Sequence, residues 1–428
     1  MNKTQEIFDA IKEVSVVLAP LKEKLKSNRR FVKTLLHFFS DVTDFREPGK
    51  VKYKLENILC ICLLMAMRGE FTSFHNASLF IKVKVNYFKK LKLIEGKDIP
   101  SHDTLRRIFM YIDANELRDS LQIRISEMIN KIVKHTDASK NKMRLLNGDG
   151  KNFKGSGRKD GGKRYEDGLR NVNVLNVLDA SSSLVISSVP LDDKESEIPA
   201  FQRLLPKYNL ENTMVTADAL HCQVKTLDLI CKRKGEYTIK VKDNQPGRKQ
   251  HLIDTLNLNK EKQQYFYFNE CEYWIYIIDY KPTDLDFPHA QAYVRMVSHK
   301  RADQADYNPE DQYFVSSANN TQLIMEAIDN RWQVEQFHNY KDDFLKEDKC
   351  TFTDKNAIQV MAIFNNIAYA LYRIASAIFD DSCMAETRIR FKDCPEEMLA
   401  LLVPLLEKQN LTMLLKQNMR GRKKKYLR

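Results

Sequence analysis

The chain has 428 residues, 43% of them hydrophobic, with 69 Lys and Arg against 57 Asp and Glu, a formal net charge of +12. That length allows two or three domains with sizeable cores, and the charge favours a polyanionic partner, although many basic proteins bind no nucleic acid. Its eight scattered cysteines make no Cys-x-x-Cys pair or zinc spacing, its N-terminus lacks a signal-peptide apolar core, and no apolar stretch is long enough for a membrane-spanning helix; the expectation is a protein with free thiols and neither a disulfide framework nor a transmembrane helix, cytosolic or, in a bacterium, nucleoid-associated.

Residues 1 to 140 read as helical. Leu55 to Met67 is too apolar for an exposed helix, and Gly69 ends it. Ser73 caps a second helix through about Lys90, and Ser101 a third, with Leu105, Ile108, Phe109 and Ile112 at helical spacing. His102 reads as a helix-start residue, since Ser101, His102 and Asp103 are consecutive and cannot form a triad among themselves. An amphipathic helix follows from Ala114 to Lys134.

The texture changes near residue 143. Short β-type runs appear at 143–149, 171–179, 184–190, 213–218 and 237–242, with helical segments at 197–207 and 221–234. Adjacent strand runs followed by alternation with helices predict an α/β mixed sheet with helices on its faces. The Gly- and Lys-rich stretch from Gly155 to Gly168 reads as a mobile hairpin loop, and it lacks the Gly-Lys-Ser/Thr ending of a Walker A loop. Aromatic and β-branched runs over 264–319 predict a β insertion at about 260–310, whose last strand rejoins the main sheet. Helices resume at about Gln322, a very apolar helix runs from Ala357 to Phe379, and a helical and basic tail occupies 381–428.

Three acids stand out. Asp149 and Asp218 each follow an apolar strand-like run, and Glu335 sits on a later helix. Ligand sites in open α/β sheets lie outside the carboxyl ends of strands. Two carboxylates there, joined by a third, suit a pair of Mg²⁺ (or Mn²⁺) ions about 4 Å apart for in-line displacement at phosphorus. Each acid alone also reads as a solvated carboxylate or a helix cap. Gly148 and Gly150 beside Asp149 would let a phosphate backbone approach. Lys151 reads equally as a phosphate contact or a solvated lysine, and His221 rather as a structural residue than a DNA contact. Trp274 reads as core or as a base-stacking residue, and Trp332 as packed inward.

These segments, in this order, resemble the transposases of bacterial insertion sequences in the ISAs1 group, related to the IS4-like superfamily of DDE transposases, over most of residues 40–370. The carriers are Asp44-Phe45-Arg46, Ile99 to Phe109, Asp149-Gly150-Lys151, Lys194 to Pro199, Thr216 to Gln223, Lys240 to Gln245, and Arg331-Trp332-Gln333-Val334-Glu335. The resemblance implies an RNase H-like core at 141–380 behind a helical N-terminal domain at 1–140. Asp149, Asp218 and Glu335 would be both the catalytic and the metal-binding residues, on the first strand, at the fourth and on the helix after the fifth. Lys151, Lys242, Asn244 and Arg331 would be the DNA-binding residues. It implies Mg²⁺-dependent cleavage at transposon ends and strand transfer into double-stranded target DNA by at least a homodimer on DNA. A wider-superfamily signature around the third acid is matched at Arg331 and Glu335, but its Tyr position is Ile328 and its Lys position is Asp342, with Lys341 one place early. A DNA-binding descendant without catalysis and a metal-dependent nuclease of the same fold are the alternatives.

Overall fold

The structure is a computed structural model, described here for residues 36, 38–96, 98–133, 143–157, 171–180, 184–191, 196–278, 287–299, 310–379 and 384–402. The bulk of the Gly-rich loop, Lys194 and Glu195 of the segment before the next helix, and the basic end of the tail lie outside those residues.

Among the described residues the first five α-helices are α1 (Leu55–Arg68), α2 (Phe74–Val83), α3 (Val85–Lys90), α4 (His102–Tyr111) and α5 (Ala114–Val133). Gly69 ends α1 in the left-handed conformation, at φ 71°, which only glycine adopts without cost. Ser73 and Ser101 accept from the backbone N–H of Asn76 and Thr104 and so cap α2 and α4. The helix expected through Lys90 is broken at Lys84 into α2 and α3.

Strands β1 (Arg144–Phe153), β2 (Val172–Asp179), β3 (Leu184–Pro190), β4 (Thr213–Ala217) and β5 (Glu236–Val241) follow, with α6 (Glu197–Leu204) before β4 and α7 (Val224–Lys232) before β5. Next come α8 (Pro246–Leu258), β6 (Gln264–Phe268), β7 (Cys271–Ile277), β8 (Ala292–Ser298) and β9 (Asp311–Ser316). The chain returns to helix in α9 (Thr321–Asn330), α10 (Trp332–Asp343), α11 (Lys355–Phe379), α12 (Met384–Phe391) and α13 (Pro395–Leu402). Helix α8 was not anticipated; its signals are Pro246 at the first helical position and the buried i, i+4 pair Leu252 and Leu256.

The nine strands among the described residues form one sheet in the order β3-β2-β1-β4-β5-β9-β8-β7-β6. The β1–β2–β3 pairs are antiparallel, and β1–β4 and β4–β5 are parallel. Strand β9 joins β5 antiparallel, so the inserted strands extend the main sheet instead of standing apart from it.

Alternate residues serve opposite faces. Leu146 and Val215 pack with Phe201, Leu227 and Leu252 from α6, α7 and α8, whereas Leu145 and Met214 pack with Ile324 and Ile328 of α9. A third cluster joins Leu59, Leu63 and Phe109 of the early helices to Phe364 and Tyr372 of α11, Leu178 of β2 and Met398 of α13. Among the described residues, the helices before residue 134 therefore share one core with α11 and α13. Among the described residues no helix is long and apolar enough to cross a membrane.

Candidate active site

Sequence reading ended the first strand at Asp149. The strand instead runs on to Phe153, paired with β2 throughout. Two glycines make this possible. A Cβ at Gly148 would overlap the Phe201 ring, and one at Gly150 would overlap the Glu197 carboxyl group. Without them, α6 could not lie this close to β1. Asp149 lies between these two positions and so points to the other face.

Gly148 pairs with Ala217 across the parallel β1–β4 ladder. Asp149 and Asp218 are the next residues, so they sit side by side where β4 ends. Glu335 occupies the first turn of α10. What brings that turn over the two strands is a buried polar bridge. Asn147 donates from Nδ2 to the carbonyl of Asn330 at 2.8 Å and accepts from Thr216 Oγ1 at 2.5 Å, tying β1, β4 and the α9–α10 junction together. The sequence carried this signal as a lone asparagine within an apolar run.

Asn147, Asp149, Asp218 and Glu335 line one open cleft of about 390 Å³ with Lys240, Lys242, Arg331 and Trp332. Trp332 thus borders the cleft instead of packing inward, with the Arg331 guanidinium 5.1 Å from its ring centre. Lys242 donates to Asp218 Oδ1 at 2.8 Å, and Arg331 lies 3.4 Å from Glu335 Oε1. Burial, with Arg331 and Lys242 nearby, brings the Lys240 ammonium down to about 8. Lys240 was missed as a candidate; its signal was the alternation that puts it on the face of β5 opposite Ile239 and Val241.

Asp149 has a partner that sequence reading did not single out. His338, one turn beyond Glu335 on α10, places Nδ1 3.4 Å from Asp149 Oδ2. Its orientation follows from a buried chain of hydrogen bonds. Asn366 Nδ2 donates to Ser188 Oγ at 2.6 Å, and Ser188 donates to Asn176 Oδ1 at 2.5 Å. Asn176 must then offer Nδ2 to His338 Nε2 at 3.2 Å, which leaves the ring proton on Nδ1, facing Asp149. Burial, and then Lys341 and Lys151, hold His338 down to about 3, so the imidazole is neutral at physiological pH.

The remaining candidates fall elsewhere. Lys151 is buried and ion-paired with Asp342 and, at 2.7 Å, with Glu347; its ammonium is not in the cleft, and its charge is matched inside the protein. Lys341 joins the same group, 3.0 Å from Glu347 Oε1. Asn365 Nδ2 donates to that oxygen at 3.2 Å. Against the cost of burial, Lys341 and Lys151 hold Glu347 down to about 2. Asn244 holds the loop after β4 through the Ala219 carbonyl at 3.5 Å, and Gln245 and Arg248 hold the Cys222 carbonyl. His221 is buried against Phe201, and Trp274 lies under Arg295, 4.5 Å from ring centre to guanidinium carbon.

The donor set fits a hard divalent cation. Burial, and then the charges of Glu197, Asp218 and Glu335, push the Asp149 carboxyl up to about 7 despite Arg331. That is the signature of carboxylates short of positive charge. Asp218 is held below the usual range, against the cost of its burial, by Lys242. Among the described residues no three His, Cys, Asp or Glu side chains are already closed to ligand spacing. Two acids of the trio are engaged by cations, Asp218 by Lys242 and Glu335 by Arg331, whereas Asp149 faces only the neutral His338.

Comparison with known proteins places this geometry in context. The "Transposase DDE domain" family matches residues 133–371, and the "DDE_Tnp_1-associated" family matches residues 36–123. The protein YbfL of Escherichia coli K12 is 25% identical over 358 residues, covering 79% of this chain and 89% of its own. The "H repeat-associated putative transposase YhhI" of the same strain matches to the same extent. A solved piggyBac transposase synaptic complex with hairpin DNA aligns with a TM-score of 0.40 at 12% identity, covering 94% of this chain and 84% of that one.

Proposed function

The chain belongs to the DDE transposase family, and from that premise we propose that it is an insertion-sequence transposase of the ISAs1 group, cutting transposon ends and joining them to target DNA. One observation carries the reading: Asp149 and Asp218 emerge side by side from parallel strands, facing Glu335 across a cleft that also holds Lys240, Lys242 and Arg331. The strand order β3-β2-β1-β4-β5, with three antiparallel strands followed by two parallel ones, supports an RNase H-like core.

Asp149, Asp218 and Glu335 would hold the divalent cations, Mg²⁺ or Mn²⁺. When bound, such ions supply Lewis acidity at the attacking and leaving oxygens of a phosphodiester. The protein's own groups do the rest. With cations on Asp218 and Glu335, Lys242 and Arg331 would be free to meet the DNA phosphates, with Lys240 in the same cleft. His338, with its proton on Nδ1, would orient the Asp149 carboxyl group through Oδ2. Asn244 holds the Asp218 loop in place. Lys151 is assigned a structural part, fastening β1 to α10 two residues beyond Asp149. The surplus of positive charge suits a duplex DNA partner, and two ends require at least a dimer on DNA.

The test uses the gene with its native flanks as substrate, in Mg²⁺, beside an Asp218→Ala variant. New 3′ ends at matching inverted repeats, made by the parent alone, are expected. Ends that are cut but never joined would turn the reading to a nuclease. DNA binding without any cutting would turn it to a descendant that has lost catalysis.

A further inference from the structure

Glu197 occupies the first turn of α6, and its carboxyl group rests on β1 at Gly150, where any side chain would displace it. Its charge acts on Asp149 more strongly than that of Asp218 or Glu335. Among the described residues it forms no ion pair with Lys or Arg, and it faces His221 instead, Nε2 to Oε2 at 3.9 Å. That imidazole is 1% exposed, packed on Phe201 with ring centres 4.6 Å apart, and neither of its nitrogens has a hydrogen-bond partner. Buried polar atoms are rarely left so. The gap is too long for a direct hydrogen bond. A carboxylate without a cationic partner, set beside two more and backed by a buried imidazole with nothing to bond, is arranged for a hydrated cation.

We propose that Glu197 is a fourth carboxylate of the cation site, acting with Asp149 and Asp218, and that His221 is the positioning residue behind it, meeting a water that the cation carries. Asp149 then stands between two acids on opposite sides of β1: Glu335 on the α10 side and Glu197 on the α6 side. The inference rests on the reading of the cleft as a divalent-cation site.

The experiment titrates Mn²⁺ into the full chain by calorimetry, without DNA, and records the melting temperature of the metal-free protein. Parent, Glu197→Gln, His221→Gln and Asp149→Asn are compared. Glu197→Gln should weaken Mn²⁺ binding at least about tenfold, or remove one of two sites, and His221→Gln should weaken it about tenfold. The metal-free Glu197→Gln protein should melt no lower than the parent, because the change removes repulsion among carboxylates. Unchanged Mn²⁺ binding in Glu197→Gln, with binding lost in Asp149→Asn, overturns the inference and leaves the cleft reading standing. A lower melting temperature with unchanged affinity also overturns it, in favour of a helix-start role. Should Glu197→Gln not fold, unchanged affinity in His221→Gln overturns the inference. A parent that binds no Mn²⁺ overturns both readings together.

Discussion

Gly148 and Ala217 are register partners across the parallel β1–β4 pair, so the residues that follow them, Asp149 and Asp218, leave the sheet next to each other. Asp149 and Asp218 lie 69 positions apart in the chain, but one ladder brings them together, and charge then governs how they behave. Lys242 engages Asp218, and His338 faces Asp149.

Lys242→Met should weaken DNA binding and lower the slope of log affinity against log salt by about 1, the contribution of one phosphate contact. Filter binding or anisotropy at several salt concentrations reads this directly. A slope equal to that of the parent would mean that Lys242 stays with Asp218 when DNA binds.

Asn176→Leu removes the donor that sets the His338 tautomer and leaves the Ser188 hydroxyl without its acceptor. Cleavage should fall about tenfold or more, as for other outer-shell partners of metal ligands. Stability should fall by about 1–3 kcal/mol for the polar groups left unpaired. Single-turnover cleavage at saturating DNA separates the first effect from any loss of binding, which should be small.

Glu347→Gln takes the carboxylate from the buried Lys341 ammonium and leaves Lys151 with Asp342 alone, in a site with almost no water access. Breaking a buried ion group from one side costs about 3–5 kcal/mol. Lys154→Ala, which removes an exposed pair with Asp348, should cost less than about 1 kcal/mol. Denaturant melts of the two variants should differ by that margin, and similar midpoints would refute the structural role given to the Lys151 group.

Acid should erase the contribution of Glu347. Its ordinary value is 4.5 and the folded value about 2. A carboxyl group lowered by folding adds stability that is complete above the ordinary value and is lost as pH falls through the interval to the folded one. The stability gap between the parent and Glu347→Gln should therefore be widest above pH 4.5 and narrow steadily toward pH 2. A gap that stays constant over that interval would show that Glu347 is not held ionised by its lysines.

Gly150→Ala should leave the protein folded, since the group it displaces is the far end of the Glu197 side chain, yet shift that carboxylate away from Asp149. Gly155→Ala drives a Cβ into the backbone carbonyl of Cys350 and should cost about 1–3 kcal/mol or more. Thermal melts should separate the two, with the Gly155 variant the less stable.

The local signals in the chain were enough for much of this. Ser73, Ser101 and Gly69 punctuate helices because capping and left-handed turns depend on a few neighbouring atoms. The alternation of apolar residues along the strands set their extent to within a few positions, except where Gly148 and Gly150 made an unbroken strand look like a strand end. The order of the acid-bearing segments marked out Asp149, Asp218 and Glu335. What neighbouring residues could not decide was where each polar side chain would find its partner. Lys151 looked available for a phosphate, but Asp342 and Glu347, far along the chain, take its charge. Glu197, His338 and Lys240 drew no notice as site residues, because their meaning comes from strand register and from helices laid across opposite faces of one sheet. Capping and alternation act over a few residues and are written in sequence, whereas charge pairing in a buried site acts through space, so only the tertiary structure decides which ions meet.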